Sequence, residues 1–295
     1  MISKVMRTTL LTAASAACFV LLLAAQPQPT PPFFFVQMSD PQFGMFTADK
    51  DFAQETLNFE LAIATANRWR PAFVVITGDL VNKPGDARQI AEFQRIAARL
   101  DRAIPLYNVP GNHDVENAPT SASIAAYVRT FGPDHYAFRA QNVYGIVLDS
   151  TVIAAPDGAR AEYDAQDRWL SDELARARVS GARHVAVFQH HPWFLNAADE
   201  PDGYFNIPLA RRTGLLARFK AAGVRYLISG HYHRNAVTRD GEMEMITSGP
   251  VGMPLGQATQ SGLRVVIVRD TGFEHRFYAL GELPNVIDLK AGAGR

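Results

Sequence analysis

The sequence predicts one α+β domain with mixed β-sheets, covering residues 33–290. In the first half of the chain, short apolar runs alternate with longer stretches whose apolar residues recur at helical spacing. In the last third, strand-like runs follow one another with only turns between them, which favours a mixed sheet system over a purely parallel one. No shift in composition within residues 33–290 indicates a second domain.

The elements can be assigned in chain order from these two periodicities. Strands are expected at 33–38, 73–77, 105–109, 135–139, 143–150, 184–189, 224–229, 242–247, 262–269 and 274–280. Helices are expected at 51–70, 87–102, 120–131, 163–178 and 208–222. Thr120 or Ser121 is available as an N-cap, and Gly223 follows the last helix as a terminating residue.

Charge and cysteine content argue against several functions. The chain has 29 Lys plus Arg and 29 Asp plus Glu, so its net charge is zero and gives no electrostatic basis for binding nucleic acid or an anionic membrane. Any anion must therefore be attracted locally, by metal ions or a small cationic patch. The one cysteine, Cys18, excludes an intrachain disulfide and a cysteine-based zinc site.

The N-terminus has the composition of a secretory signal peptide. Lys4 and Arg7 precede an apolar stretch at 10–25, which ends in small residues and is followed by the proline-rich run 26–32. This stretch is shorter than the roughly 20 residues that a membrane span needs. We expect a cleaved signal peptide at 1–25, a linker at 26–32 and export of the protein, with an uncleaved membrane anchor or a lipoprotein signal at Cys18 as alternatives.

Five short polar clusters each follow a predicted strand directly. They are Asp40-Pro41-Gln42, Gly78-Asp79, Gly111-Asn112-His113-Asp114, His190-His191-Pro192 and Gly230-His231-Tyr232-His233. Each cluster alone is typical of an ordinary turn or of surface polar residues. Five turns that all follow core strands and all carry carboxylates, amides or imidazoles are typical of a site for divalent metals, because strand ends converge at one sheet edge.

These clusters resemble the calcineurin-like metallophosphoesterase superfamily, whose motifs have the same order. The stretches 36–44, 188–194, 204–207 and 230–235 resemble most a branch of small phosphoesterases that includes a vertebrate protein serine/threonine phosphatase. The resemblance implies a four-layer αββα sandwich of mixed sheets. It also implies a hydrolase in which two divalent ions activate water for attack on phosphorus.

The resemblance implies a role for each site residue. One ion would be held by Asp40, Gln42, Asp79 and His233, and the other by Asp79, Asn112, His190 and His231. Asp79 would bridge the two ions, since a carboxylate has two oxygens. His113 would stabilise the phosphate and protonate the leaving alkoxide, because imidazole exchanges protons near neutral pH.

Two positions depart from the superfamily pattern. Gln42 replaces a histidine, as is characteristic of the branch, and an amide oxygen favours manganese, magnesium or iron over zinc. The candidate metals are thus Mn, Fe and Mg, with Zn as the less favoured ion. Asn82 replaces the aspartate that orients the catalytic histidine in protein phosphatases; its side chain could bond the His113 ring but could not stabilise an imidazolium by charge. Asp114 could take over the protonating role, although in the family this position more often supports the loop.

Other polar residues near the motifs have weaker assignments. His191 is a candidate substrate contact. Arg234 could bind phosphate through two parallel hydrogen bonds or could form a structural salt bridge. The loop at 196–206 could line the mouth of the site or be ordinary surface. Arg211 and Arg212, at the start of the predicted helix 208–222, are expected to lie on a solvated face.

The leading hypothesis is a phosphomonoesterase that acts on a phosphorylated substrate, with phosphoserine or phosphothreonine proteins as the candidates from the resemblance. A phosphodiesterase acting on nucleotides or glycerophosphodiesters is the first alternative, since it would use the same two ions. A protein that binds metal or phosphate and has lost catalysis is an alternative of another class. No nucleic-acid partner is expected, and no stable membrane association beyond a possible anchor; the oligomeric state is open.

Overall fold

The computed structural model describes residues 30–256 and 260–290. The expected signal peptide at 1–25 and most of the proline-rich run at 26–32 lie outside the described residues. None of the helices in these two stretches has the length and apolar composition needed to cross a bilayer.

The described residues form eleven strands and seven α-helices. The strands are β1 (Phe33–Met38), β2 (Val74–Ile76), β3 (Leu106–Asn108), β4 (Tyr136–Ala140), β5 (Val143–Val147), β6 (His184–Phe188), β7 (Val224–Ser229), β8 (Ala236–Asp240), β9 (Met243–Thr247), β10 (Gly262–Arg269) and β11 (Gly272–Ala279). The helices are α1 (Ala53–Trp69), α2 (Ala87–Ala97), α3 (Asn112–Val115), α4 (Ser121–Phe131), α5 (Ser150–Ala154), α6 (Arg160–Val179) and α7 (Leu209–Ala222).

The strands form two mixed sheets, as predicted. The first has the order β11-β10-β1-β2-β3, in which β1, β2 and β3 are parallel and β10 is antiparallel to both of its neighbours. The second has the order β4-β5-β6-β7-β9-β8, in which β5, β6, β7 and β9 are parallel and the two edge strands are antiparallel. Because the central strands of each sheet are parallel, their carboxyl ends lie at one edge.

Three apolar layers separate the sheets and helices. On β1, Val36 faces α1 and α2 while Phe35 faces the other sheet, because successive strand residues point to opposite faces. Between the sheets, Phe35 packs against Phe73 and Phe188. The other face of the second sheet packs on α6 and α7 through a layer that includes Phe219. The four-layer αββα sandwich is thereby confirmed.

Most predicted elements are present, but several bounds differ, and α3, α5 and β8 were not predicted. The helix predicted at 87–102 ends at Ala97, after which Leu100 bonds back only three residues. The strand predicted at 143–150 ends at Val147, because Asp149 caps α5 by accepting the backbone N–H of Thr151. β8 is an edge strand that was not predicted, since its half-buried and exposed residues give little apolar pattern.

Candidate active site

The five predicted clusters meet at the carboxyl ends of the central strands. They follow β1, β2, β3, β6 and β7, which belong to both sheets. The structure brings together all seven residues that the resemblance implies as metal ligands, and all seven are buried: Asp40, Gln42, Asp79, Asn112, His190, His231 and His233. The site therefore lies deep between the ends of the two sheets.

Five of these residues have a left-handed backbone. The φ angles are 50° at Asp40, 40° at Gln42, 51° at Asp79, 66° at His231 and 53° at His233. Such conformations cost roughly 1 kcal/mol or more each for residues other than glycine, and they persist where the surrounding structure enforces them. Here they are concentrated in the turns that direct the side chains back across the strand ends.

Two glycines are required by close packing inside the site. A Cβ on Gly111 would lie 2.2 Å from the backbone nitrogen of Asp79, and one on Gly78 would lie 2.3 Å from Nδ1 of His190. Gly78 also has a φ of 90°, which favours glycine. The loops after β2, β3 and β6 can therefore approach one another only because these positions have no side chain.

The carboxylates and imidazoles form two groups that share Asp79. In one, Asp79 lies with His190 and His231; in the other, it lies with Asp40 and His233, and within each group the candidate ligand atoms all lie within 4.8 Å of one another. Oδ2 of Asp79 is 3.3 Å from Nε2 of His190, and Oδ1 of Asp40 is 3.4 Å from Nε2 of His233. These two groups could hold two ions joined by one carboxylate.

The amide ligands complete these groups. Oδ1 of Asn112 is 2.9 Å from Nε2 of His190, and its Nδ2 donates to Asn117 at 3.0 Å. Oε1 of Gln42 is buried and has no hydrogen-bond partner. A buried, unpaired carbonyl oxygen is costly in a folded protein unless it meets a cation or a donor. Gln42 follows Asp40 by two residues and its backbone N–H donates to the carbonyl of Asp79 at 3.0 Å, so this unpaired oxygen fits a metal ligand.

Each imidazole of the groups is fixed by a backbone carbonyl. Nδ1 of His190 donates to the carbonyl of Thr77 at 2.8 Å, and Nδ1 of His233 donates to that of Met253 at 3.0 Å. Nε2 of His231 donates to the carbonyl of Tyr204 at 3.2 Å. A carbonyl only accepts, so each ring nitrogen that faces one carries a proton, and the other nitrogen is the one that can offer a lone pair to an ion. This is the usual support of metal-binding histidines, and the donor set fits divalent ions.

The charges in the site are strongly interdependent. Burial disfavours a charged Asp79, yet the neighbouring His190, His113 and His231 hold the pKa of Asp79 below its ordinary value. Burial works against protonation of His190 as well, but Asp79 and Asp40 raise the pKa of His190 to about 9. Burial and the adjacent His190 lower the pKa of His231 to about 4. The carboxylates thus create a negative potential that attracts cations.

His113 lies at the edge of these groups and is only partly buried. Its backbone N–H donates to Oδ1 of Asp79 at 2.8 Å, and its Nδ1 donates to the main-chain carbonyl of Asn82 at 2.7 Å. The expectation that the Asn82 side chain would bond the ring is therefore wrong. That side chain points the other way and donates through Nδ2 to Asp49 at 2.7 Å. Main-chain and side-chain oxygens of the same residue are both acceptors, and the sequence does not distinguish them.

Asp114 supports the loop that carries Asn112 and His113. Its Oδ2 accepts the N–H of Gly111 at 2.8 Å, and its Oδ1 accepts that of Val81 at 3.1 Å. Burial and the nearby Asp79 raise the pKa of Asp114 to about 8. Both oxygens bond the backbone, so this side chain fixes the loops after β2 and β3 to each other.

The two candidate substrate contacts lie in different surroundings. His191 is buried, with its ring centroid 4.3 Å from that of His231 and its Nδ1 3.0 Å from Oγ of Ser150. Arg234 is exposed, and its guanidinium carbon lies 5.7 Å from the centroid of the Tyr232 ring. His191 thus borders the metal groups, whereas Arg234 lies on the rim, one residue beyond His233.

The loop at 196–206 lines the site through Tyr204 and Phe205. The ring of Tyr204 is 63% exposed and lies 5.1 Å from the ring of His231, and Phe205 packs between His231 and Tyr232. Tyr204 also bonds the side chain of Asn112. Tyr204 was not among the predicted site residues, although the loop that contains it was a candidate for the mouth of the site and stretch 204–207 resembles the same branch of the family.

Arg212 organises this loop. The prediction that it lies on a solvated face is wrong. The side chain is fully buried, and its guanidinium donates to the main-chain carbonyls of Ala198, Trp193, Ile207 and Glu200. The carboxylate of Glu200 in turn accepts the N–H groups of Leu195 and Asn196. The prediction failed because the first turn of α7 faces the loop, and a loop's path leaves no periodic pattern. Arg212 thereby fixes the segment that carries Tyr204.

Comparisons with known proteins agree with this geometry. The model of the calcineurin-like phosphoesterase family matches residues 35–235. The human serine/threonine-protein phosphatase CPPED1 is 38% identical over 268 residues, which is 85% of each chain. Two solved structures share the fold: Plasmodium GAP50, the anchor in the inner membrane complex, and a dimetal phosphatase from Danio rerio. The first has a TM-score of 0.63 at 18% identity and covers 84% of this chain and 85% of GAP50. The second has a TM-score of 0.57 at 15% identity and covers 84% of this chain and 99% of its own.

The family match covers more than half of the chain, and it includes all five clusters that meet at the site. Members of this family use a dinuclear metal centre, and the two groups that share Asp79 supply the residues for one. The chain therefore belongs to the calcineurin-like phosphoesterase family and is a dinuclear-metal phosphoester hydrolase.

Proposed function

We propose that this hydrolase is a phosphomonoesterase of the protein serine/threonine phosphatase type. The observation that carries the proposal is the pair of metal-binding groups joined by Asp79, with His113 bonded directly to the same carboxylate. The substrate class rests on the name of the human relative, a serine/threonine-protein phosphatase, and on the similar length of the two chains.

In this proposal each ion has four protein ligands. Asp40, Gln42, Asp79 and His233 hold one ion, while Asp79, Asn112, His190 and His231 hold the other. Two divalent ions at such a site supply an activated water and neutralise the charge that develops on the phosphoryl group. Gln42 offers a neutral oxygen where zinc sites usually have nitrogen or sulfur, which favours manganese, iron or magnesium at the first position.

His113 transfers a proton to the leaving group. Its Nδ1 is occupied by the carbonyl of Asn82 at 2.7 Å, so Nε2 is the nitrogen available for proton exchange. The bond from its backbone N–H to Asp79 ties the position of the ring to the metal groups. A seryl or threonyl alkoxide is a poor leaving group, so its departure depends on such a proton.

The rim selects the substrate. His191 and Arg234 are the proposed contacts, one beside the metal groups and the other exposed at the entrance. Burial, together with His231 and His190, holds the pKa of His191 well below its usual value, so the ring acts as a neutral hydrogen-bonding group. The exposed guanidinium of Arg234 can pair with a phosphate or with an acidic residue of a phosphoprotein.

Three measurements test the proposal. Hydrolysis of p-nitrophenyl phosphate should exceed that of bis-p-nitrophenyl phosphate, and phosphoserine and phosphothreonine peptides should be dephosphorylated. Chelation should abolish both activities, and manganese or iron should restore them. Clear preference for the diester would make the chain a phosphodiesterase, and metal binding without turnover of any phosphoester would make it a binding protein.

We also propose that the protein is exported, because residues 1–25 have the composition of a signal peptide. N-terminal sequencing of protein purified from its own cells tests this: a mature chain that begins near residue 26 supports export. An intact N-terminus on membrane-bound protein supports an anchor instead.

A further inference from the structure

The two ends of the Gln42 amide have different surroundings. Nε2 lies 3.4 Å from Oδ1 of Asn82, whereas Oε1 is buried without a hydrogen-bond partner. Only the oxygen of an amide can bind a cation, because the NH₂ group has no lone pair to offer. Gln42 can therefore act as a ligand only if its amide is held with the oxygen toward the ion.

That orientation follows from a carboxylate on the far side of Asn82. Oδ1 of Asp49 accepts hydrogen bonds from Nδ2 of Asn82 at 2.7 Å and from Nε2 of Gln89 at 2.8 Å. A carboxylate accepts and does not donate, so the amide nitrogen of Asn82 must face Asp49. Its Oδ1 must then face Gln42, which directs the nitrogen of Gln42 toward Asn82 and leaves the oxygen of Gln42 on the other side, where it has no hydrogen-bond partner.

The carboxylate of Asp49 is itself held in place by α2. Oε1 of Gln89, on the first turns of that helix, accepts the backbone N–H groups of Asn82 and Lys83 at 2.9 Å each. The Gln89 amide is thereby oriented, and its nitrogen is left for Asp49. All the donors and acceptors along the path from Gln89 through Asp49 and Asn82 to Gln42 are consistent with a single arrangement.

We propose that Asp49 and Asn82 are positioning residues that hold the Gln42 amide with its oxygen toward the metal. The inference rests on the proposed ligation by Gln42. It joins the two departures from the superfamily pattern into one unit: an aspartate at position 82 would put a second carboxylate against Asp49, where like charges repel. Asn82 also holds His113 through its main-chain carbonyl, so one residue positions a ligand and the catalytic imidazole.

The test is to remove metal from the protein with a chelator and then to measure the binding of Mn²⁺ by titration calorimetry and by electron paramagnetic resonance. Wild type should bind two ions. Asp49→Leu has a similar shape but no acceptor for Asn82 or Gln89, so the amide of Asn82 is no longer oriented. The affinity for one ion should then fall about 10- to 100-fold, as loss of a metal's outer hydrogen bonds typically does. The affinity for the other ion should change less than about threefold.

The matched control is Asp86→Asn. Asp86 is also a half-buried aspartate near the start of α2, and it caps that helix by accepting the N–H of Arg88. The same oxygen of Asp86 accepts the N–H of Gln89 at 3.3 Å, and an asparagine oxygen can keep both bonds. The variant therefore removes one negative charge near α2 and leaves the side-chain bonds from Gln89 to Gln42 unchanged. Both affinities should therefore remain at the wild-type values in this variant.

A second arm exchanges the two groups. Asn82→Asp alone should weaken the same ion as Asp49→Leu does. In the double variant, Asp49→Asn with Asn82→Asp, the amide and the carboxylate change places. The amide nitrogen at position 49 can then donate to the carboxylate at position 82, and the amide oxygen can still accept from Gln89. A consistent path returns, so the affinity should recover to within about threefold of wild type. This arm also decides the matter if Asp49→Leu alone fails to fold.

These outcomes distinguish failure of the proposed positioning role from failure of the proposed metal site. Two unchanged affinities in Asp49→Leu, or a double variant that binds more weakly than Asn82→Asp alone, would overturn the positioning role while the dinuclear hydrolase stands. Equal weakening of both ions would overturn it too, since the path reaches only Gln42. A wild-type chain that binds no Mn²⁺ would refute the proposed metal site and this inference with it.

Discussion

The backbone N–H of His113 donates to Oδ1 of Asp79 at 2.8 Å, so the catalytic candidate and the shared carboxylate are bonded directly. The other oxygen, Oδ2, lies 3.3 Å from Nε2 of His190. The two oxygens of Asp79 thus face loops that follow strands of different sheets. A change at this carboxylate should disturb both metal groups and the His113 loop together.

We expect Asp79→Asn to lower kcat by about a thousandfold or more, because stabilisation by the ions is worth several kcal/mol and the amide leaves one ligand atom too few. Metal analysis should find fewer than two ions per chain. The control is Asp167→Asn, a carboxylate on α6 that pairs with Arg218 far from the site. Near-normal turnover in Asp79→Asn with both ions bound would show that Asp79 does not bridge them.

His113→Gln should separate catalysis from metal binding. Glutamine can keep a polar group near the site but cannot deliver a proton, so kcat for a phosphoserine peptide should fall about 10²- to 10⁴-fold. Turnover of p-nitrophenyl phosphate should fall much less, because nitrophenolate leaves without a proton. Metal content should not change. Equal losses on both substrates would argue for a role in binding phosphate instead of protonation.

The strand ends and the motif order could be predicted from the sequence, because both are local features. An apolar run followed by Gly-Asp or Gly-Asn-His marks a strand and the turn after it, and parallel strands bring such turns to one edge. This reasoning located the five clusters, and the resemblance to the calcineurin-like family identified the seven candidate ligands within them. It could not locate Asp49, whose bond to Asn82 joins loops 33 residues apart and has no motif of its own.

Roles that depend on the direction of a side chain were beyond sequence reasoning. Asn82 was expected to bond His113 through its side chain, but the main chain does so because the side chain is taken by Asp49. Arg212 was expected to face solvent, yet it is fully buried against carbonyl groups of a loop. In both cases the partner is a backbone oxygen, which every residue carries and no composition reveals.

Arg212→Met should destabilise the protein strongly. Methionine fills similar space but leaves the carbonyl groups that Arg212 satisfies without donors, and each buried unpaired group costs about 1–3 kcal/mol. We expect the free energy of unfolding to fall by about 3 kcal/mol or more in denaturant titrations. Arg211→Met is the matched control, because the Arg211 side chain donates to one carbonyl, that of Ala154, and its loss should cost less than about 1 kcal/mol. Similar losses in both variants would contradict the role of Arg212 as the anchor of the loop.

Asp149 should make stability depend on pH. Its Oδ1 accepts the N–H of Thr151 at 2.8 Å, but its Oδ2 is buried without a hydrogen-bond partner. Burial raises the pKa of Asp149 from 3.8 to about 6. The folded chain therefore retains this proton more strongly than the unfolded chain does. The resulting loss in the free energy of unfolding is absent well below pH 3.8. It grows as the pH rises from 3.8 to about 6 and is complete above that range.

Asp149→Asn removes the ionisation but keeps an oxygen to cap α5. The free energy of unfolding of the variant minus that of wild type should rise by on the order of 3 kcal/mol between about pH 4 and pH 7, since one pKa unit corresponds to about 1.4 kcal/mol. Urea titrations of both proteins at intervals of about one pH unit across this range measure the difference. Any fixed cost or gain from the new amide contributes equally at every pH and cancels in the comparison. A difference that stays constant across the series would mean that Asp149 ionises alike in the folded and unfolded chains, and that its buried oxygen is solvated.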